Sequence, residues 1–208
     1  MRDDVYVGML VSRDSLKHYG KGHDDSPPGR GSGRYPYGSG DRPHQHLTEI
    51  KNTKSFGSPE RLSDYMKKHF KYAEFTTLKS PEQTAKDMSG SCHDQTLYEL
   101  KELSKMGKKP KAMFVIEYDE KSGQGGMTHS FVYWKEHGSI RYLENAWGNH
   151  EGIKNFKDLE SLQMYFWKSK IKGEFGDKKY SDLEFGDFNP KKLHSGMTLQ
   201  ELVDACLE

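Results

Sequence analysis

The sequence predicts an α+β protein in which a cysteine-bearing helix packs on a small antiparallel sheet. Helix start signals recur along residues 58–208, and three β-type segments separated by turn residues follow one another near the middle of the chain. Residues 18–46 are rich in glycine and proline and contain no aliphatic side chain. We therefore expect a folded domain over residues 58–208 and an N-terminal extension over residues 1–57.

Composition narrows the classes of function. The 208 residues include 32 Lys and Arg against 31 Asp and Glu, so charge gives no reason to expect a nucleic-acid or membrane partner. The chain has no run of about 18 apolar residues, which predicts no membrane span, and its start does not resemble a secretory signal. Its mean hydropathy of −0.96 indicates that part of it adds little core. With only Cys92 and Cys206, we expect free thiols and no multi-cysteine zinc site.

The N-terminal extension allows two interpretations. Segment 18–46 cannot offset its ordering entropy by burial, so we expect it to be flexible in isolation. Within it, residues 29–40 interleave arginine and tyrosine with glycine, a composition suited to docking on another protein, although a solvated linker explains it equally well. The histidines and aspartates of 18–46 fit no metal-binding template, and we expect no metal. Residues 5–11 predict an edge strand or a segment that packs across the domain.

Four helices are predicted from their start signals. Each start has an N-cap residue, and at three of the four a proline follows or a residue at the third position can complete a capping box. In chain order the signals are Ser58-Pro59, with a helix to about Tyr72; Ser80-Pro81 with Gln83, with a helix to about Met88; Asp158, with a helix through Phe166; and Thr198 with Glu201, with a helix through Cys206.

A fifth helix and three strands form the predicted centre of the domain. The helix runs from about Cys92 to Met106, with Gly107 as its C-terminal cap. Residues 112–118, the strand that includes His129 and residues 140–147 are expected to form an antiparallel sheet, with a hairpin turn at residues 137–139. Residues 173–189 mix glycine, charges and aromatics and permit no assignment.

Cys92, His129 and an acid or amide downstream form a candidate triad. A thiol at a helix N-terminus lies beside unpaired N–H groups that lower its pKa, and an imidazolium would lower it further. A histidine acting as base needs an orienting partner on its far nitrogen. Glu144 and Asn145 are both candidates, and because side chains alternate along a strand, only one of them can face His129.

Simpler interpretations compete with the triad. A buried cysteine at a helix start is more often a small apolar side chain, and a lone strand histidine is more often structural. His93 is an alternative base, but it adjoins Cys92 on the helix and points elsewhere. Trp134 and Trp147 are candidate walls of a substrate cleft, and core packing explains them equally well. We assign Cys206 to the core.

Three segments together resemble a transglutaminase-like family of small bacterial and phage proteins within the papain-like thiol superfamily. They are residues 90–95 (Gly-Ser-Cys-His-Asp-Gln), 128–132 (Thr-His-Ser-Phe-Val) and 143–153, which begin Leu-Glu-Asn-Ala-Trp. The resemblance covers roughly residues 58–167. His93 replaces an aromatic that is common in the family, and Ala146 replaces a common serine.

This resemblance implies an α+β papain-like core, a Cys92 nucleophile, a His129 base and no cofactor. It favours Glu144 as the third member, with Asn145 in reserve, and a role for the backbone N–H of Cys92 and for Gln95 in holding an oxyanion. The implied activity is amide hydrolysis or acyl transfer on a peptide or protein substrate, with a cysteine protease as the expected form. A non-catalytic protein that retains the fold is the alternative.

A second, shorter resemblance concerns context. Residues 18–20 and 33–40 are similar to an element found in head and virion proteins of tailed phages. It implies a phage protein that acts in head assembly or is carried in the virion, located in the particle or the host cytoplasm. Contacts with phage head or virion proteins would then run through residues 18–46.

Overall fold

The computed structural model describes residues 11–12, 56–118, 124–146, 152–171 and 179–207, which form an α+β fold. The helices are α1 (Pro59–His69), α2 (Pro81–Asp87), α3 (Cys92–Lys105), α4 (Leu159–Phe166), which continues as a π-helix (Trp167–Ile171), and α5 (Leu199–Leu207). A 3-10 turn spans Tyr180–Asp182. The strands are β1 (Val11–Ser12), β2 (Lys71–Tyr72), β3 (Ser89–Gly90), β4 (Lys111–Tyr118), β5 (Gln124–Glu136), β6 (Ser139–Glu144), β7 (Gly152–Phe156) and β8 (Leu183–Asp187).

One antiparallel sheet organises the domain. Its strand order is β7-β6-β5-β4-β8, and β1 pairs with the start of β5, where Val11 lies opposite Gly125. Strands β2 and β3 form a separate parallel pair directly before α3. The β5–β6 hairpin turns at His137 and Gly138, which both have positive φ as a tight two-residue turn requires. Pairing between β5 and β6 extends as far as Val132 and Leu143.

The predicted helix starts and the three central strands are confirmed, although the third strand ends at Glu144 and not at residue 147. The first helix is shorter than expected, because the chain after His69 turns into β2 instead of continuing to Tyr72. Strand β8 lies in the segment that the sequence left unassigned, and β7 was not predicted. Segment 18–46 and residues 5–10 lie outside the described residues.

Helices cover both faces of the sheet. On the face that packs against α3, the core includes side chains from α1, α3 and α5 with alternate residues of the central strands. On the other face, α4 and the π-helix cover the remaining set of strand residues. We call these the α3 face and the α4 face. Because successive strand residues point to opposite faces, neighbouring residues of β5 and β6 meet different helices.

A reciprocal capping box fixes the start of α3 at Cys92. The Ser91 hydroxyl accepts from the backbone N–H of Asp94, and the Asp94 carboxylate accepts from the backbone N–H and hydroxyl of Ser91, at 2.8 and 2.9 Å. The other Asp94 oxygen accepts from the backbone N–H of Lys79 at 2.8 Å. A side chain at Gly90 would approach the Asp94 Cβ to 2.6 Å, so this approach to the helix requires glycine.

We expect Asp94→Asn to lower the free energy of unfolding by about 1.5–3 kcal/mol, the range for hydrogen bonds to a buried charged group. An amide keeps the shape of the carboxylate but points an NH₂ group at groups that donate. Chemical denaturation measures the loss. Asp64→Asn, at an exposed position of α1, is the matched control and should change little; equal unfolding free energies for both variants would contradict this account of the helix start.

Candidate active site

The Cys92 thiol lies at the first residue of α3, close to the point where β5 and β6 stop pairing. It is buried, with 6% of the residue exposed. The backbone N–H groups of Ser130, on β5, and of His93 both donate to its sulfur. The thiol is therefore held against the residue that follows His129 in the chain.

Burial raises the pKa of the Cys92 thiol to about 12, and the negative charges of Glu144 and Asp94 add to the effect. The N–H groups of Ser130 and His93 act in the opposite direction but do not outweigh desolvation. The sequence led us to expect a lowered pKa from the helix N-terminus. That expectation is wrong for this geometry, because the sulfur is enclosed, and the resting site holds a neutral thiol.

His129 lies on the α4 face of β5. Its ring stacks on Phe166 of α4, with centroids 5.5 Å apart and planes 20° from parallel. Its Nε2 atom lies 3.6 Å from Oε1 of Glu144, and both side chains are buried. This distance places the carboxylate beside the ring nitrogen but is longer than a hydrogen bond. Catalytic contacts are often this loose before substrate binds.

Strand alternation separates the two candidates for the third position. Glu144 points to the α4 face with His129, and its Oε1 also accepts from the backbone N–H of Ala146 at 2.7 Å. Asn145 points to the α3 face, where its amide donates to Glu99 at 2.8 Å and accepts from the Ser63 hydroxyl at 3.1 Å. The structure thus places Glu144, and not Asn145, beside His129.

Glu99 is a buried carboxyl group that the sequence did not single out. It lies on the inward face of α3, seven residues after Cys92. Burial raises its pKa well above the usual value, an effect that the nearby charge of Glu144 increases and the Asn145 hydrogen bond reduces. Glu99 therefore favours its neutral form more than an ordinary carboxyl group does, and it contacts the end of β6.

The other predicted site residues have different positions. Gln95 is buried and its side-chain NH₂ donates to the Gly90 carbonyl at 2.9 Å, which ties the first turn of α3 to β3. Trp134 is 1% exposed and lies in the α3-face core, which favours core packing over the wall of a substrate cleft. Trp147 lies outside the described residues. Cys206 lies in the core as expected.

A buried polar network joins α3 to β5, and sequence reasoning missed it. His93 contacts the hydroxyls of Thr128 and Ser130, and the Ser130 hydroxyl also donates to that of Thr96. The signal in the sequence is the pair of hydroxyl residues on either side of His129. This pair could be recognised as part of a network only once the structure showed that α3 packs against it.

A cavity of about 630 Å³ lies elsewhere, among α2, the outer part of α3, the start of β4 and the turn after β8. Its walls include Leu97, Lys101, Phe188 and Leu193, and no predicted site residue lines it.

Within the described part of the chain, no cluster of three or more His, Cys, Asp or Glu could hold a metal ion. Among the same residues, no helix is long and apolar enough to cross a membrane.

Comparison of the sequence with known protein families finds no family that matches, and comparison with curated proteins finds no significant match.

The enclosed thiol should react slowly. In the folded protein at neutral pH, we expect iodoacetamide to alkylate Cys92 at least about 100-fold more slowly than an unfolded sample, because the reactive species is the thiolate. The rate should rise as pH increases toward the raised pKa of about 12. Peptide mass spectrometry distinguishes Cys92 from Cys206. If Cys92 in the folded protein were alkylated faster at pH 6 than in the unfolded chain, the thiol would be an activated thiolate, and its pKa would not be raised.

Glu99→Gln should raise stability at neutral pH. The folded-state pKa of Glu99 is raised above its unfolded value, so its contribution is fully present below the ordinary value of 4.5 and is lost as pH rises through the folded pKa. The variant, neutral at every pH, should match wild type near pH 4 and become progressively more stable above it. Denaturation curves across pH measure the difference. Glu160→Gln at an exposed site of α4 controls for the loss of one charge, and a constant difference across pH would contradict an uncharged Glu99.

Proposed function

We propose that this chain is a thiol-dependent amide hydrolase or acyltransferase with a papain-like, transglutaminase-like core. Cys92 is the nucleophile, His129 the base and Glu144 the group that orients the base. The observation that supports this most is convergence: the start of α3, the His129 strand and the Glu144 strand meet where the β5–β6 ladder ends, with Nε2 of His129 3.6 Å from the carboxylate.

The proposed reaction begins from a neutral thiol and a neutral imidazole. The sulfur attacks the amide carbonyl carbon while Nδ1 of His129 removes the thiol proton, so no thiolate needs to accumulate. The carbonyl oxygen becomes an oxyanion. The backbone N–H of Cys92 is at the first helical position, where no intrahelical acceptor exists, and can donate to it.

Collapse of this intermediate breaks the C–N bond. His129 returns the proton to the leaving amine, and the acyl group stays on Cys92 as a thioester. Water or a second amine then attacks the thioester, with His129 again taking the proton, and the thiol is regenerated. Water gives hydrolysis and an amine gives transfer, so one site supports both activities.

Glu144 fits the orienting role because of its position. Its carboxylate faces Nε2 of His129 and favours the tautomer with the proton on that nitrogen, which leaves Nδ1 to accept the thiol proton. Gln95 acts as a support and not as an oxyanion donor, since its side-chain NH₂ binds Gly90 and its backbone N–H donates to Ser91.

A second candidate function is a non-catalytic protein that retains this fold. The observation in its favour is the enclosure of Cys92 and the raised pKa of its thiol.

For either function, we propose a phage context, in head assembly or in the virion, with contacts through residues 18–46. The support for that context is the sequence resemblance of the N-terminal segment.

Activity on a mixed peptide library tests the proposal. We expect mass spectrometry to detect cleaved peptides, and products labelled with monodansylcadaverine when that amine is present. Cys92→Ala should abolish both products, and Glu144→Gln should reduce the rate about 10²–10⁴-fold, the usual contribution of a positioned acid–base system. Asn145→Ala is the matched control, because its side chain faces the other side of the sheet, and it should reduce the rate far less. Products that persist in Cys92→Ala, or equal losses in the two strand variants, would contradict the assignment.

A further inference from the structure

We propose that His93 is a positioning residue, which bridges the two hydroxyl residues on either side of His129 and thereby sets the place of the proposed base relative to Cys92. The proposal rests on the function proposed above for Cys92 and His129. In this role His93 takes no part in the chemical steps and acts only through the position of His129.

The contacts are direct, and the His93 residue is 1% exposed. Nδ1 of His93 lies 3.0 Å from the Ser130 hydroxyl, and Nε2 lies 3.2 Å from the Thr128 hydroxyl. Thr128 and Ser130 point to the α3 face of β5, whereas His129 between them points to the α4 face. The His93 ring therefore contacts both neighbours of His129 from the opposite face of β5.

The protonation state of His93 suits this bridge. Burial lowers its pKa to about 3, so the ring is neutral under ordinary conditions. A neutral imidazole has one N–H donor and one acceptor nitrogen. The Ser130 hydroxyl donates to Thr96 and so accepts from Nδ1–H of His93, which leaves Nε2 to accept from the Thr128 hydroxyl.

The position of His93 on α3 links this bridge to the thiol. His93 directly follows Cys92, and its own backbone N–H donates to the Cys92 sulfur, as does the backbone N–H of Ser130. A shift of Ser130 relative to α3 would change both the thiol contact and the direction of the His129 side chain. The His93 ring stacks on the Phe114 ring, with ring centroids 5.4 Å apart, and this contact fixes the His93 ring in place.

The test uses His93→Phe, which retains a flat ring against Phe114 but removes both hydrogen bonds. His93→Gln retains one donor and one acceptor and should rescue. A double variant, Thr128→Val with Ser130→Ala, removes the same two bonds from the strand side, together with the Ser130–Thr96 hydrogen bond. It covers the case in which His93→Phe fails to fold. His69→Phe makes the same substitution at an exposed site on α1 and is the matched control.

Two readouts separate positioning from packing. The first is the rate at which p-nitrophenyl acetate acylates Cys92, measured by intact mass. We expect His93→Phe and the double variant to lower it by about 10–100-fold, as a misplacement of about 1 Å does, and His93→Gln to restore most of it. The second is the NMR signal of the His129 ring protons, which lie in the ring current of Phe166; these should shift in the same two variants and return in His93→Gln.

The outcomes distinguish this proposal from the proposed function. If folded His93→Phe and the double variant leave the His129 signals or the acylation rate unchanged, His93 only packs and the proposal is overturned. If wild type is not acylated at all, the proposed function fails. The ring signals then decide the bridge alone: a shift that Gln reverses supports it, and no shift overturns it.

Discussion

The capping box of Ser91 and Asp94 is the constraint on which the candidate site depends. It starts α3 at Cys92, so the sulfur is held at the N-terminus of the helix and against β5. The same carboxylate binds the backbone of Lys79, which fixes the preceding segment to the helix. If α3 began one residue later, Cys92 would leave the first turn and its contact with Ser130 would be lost.

Helix α3 also anchors the strands that carry the other two members of the proposed triad. His93 and Thr96 bind the hydroxyls beside His129, and Glu99 binds Asn145, the neighbour of Glu144. In each case the helix holds a residue on the α3 face, and the adjacent residue points to the α4 face. The arrangement stabilises a site that spans the sheet, although no side chain of α3 beyond Cys92 takes part in the proposed chemistry.

Local signals made much of this fold predictable. Ser-Pro pairs, capping residues and Gly138 specify helix starts and a hairpin through short-range contacts, so they can be recognised in one sequence. Strand β8 could not be recognised, because it pairs with β4, which lies far earlier in the chain. Strand β7 was missed although it pairs with β6, the strand directly before it. The choice between cleft and core for Trp134 could not be made from sequence for a related reason: sequence shows an aromatic near His129 but not the face on which it packs.

The members of the candidate site could be named from the sequence, but their electrostatics could not. Residue types and order indicated Cys92, His129 and a choice of two neighbours, and the face of the strand, which decides between Glu144 and Asn145, required three-dimensional register. The pKa of Cys92 was predicted in the wrong direction because a helix N-terminus is visible in sequence and enclosure is not. A neutral thiol makes the base more important, since the proton must leave during attack.

Covalent acylation of Cys92 tests the central claim most directly. Intact-mass spectrometry of the full chain after incubation with p-nitrophenyl acetate should show one acetyl group, mapped to Cys92 and released by hydroxylamine. His129→Ala, which keeps the thiol but lacks the proposed base, should remain unmodified over the same period. Absence of acetylation in wild type, or equal acetylation in the His129→Ala variant, would contradict a catalytic thiol.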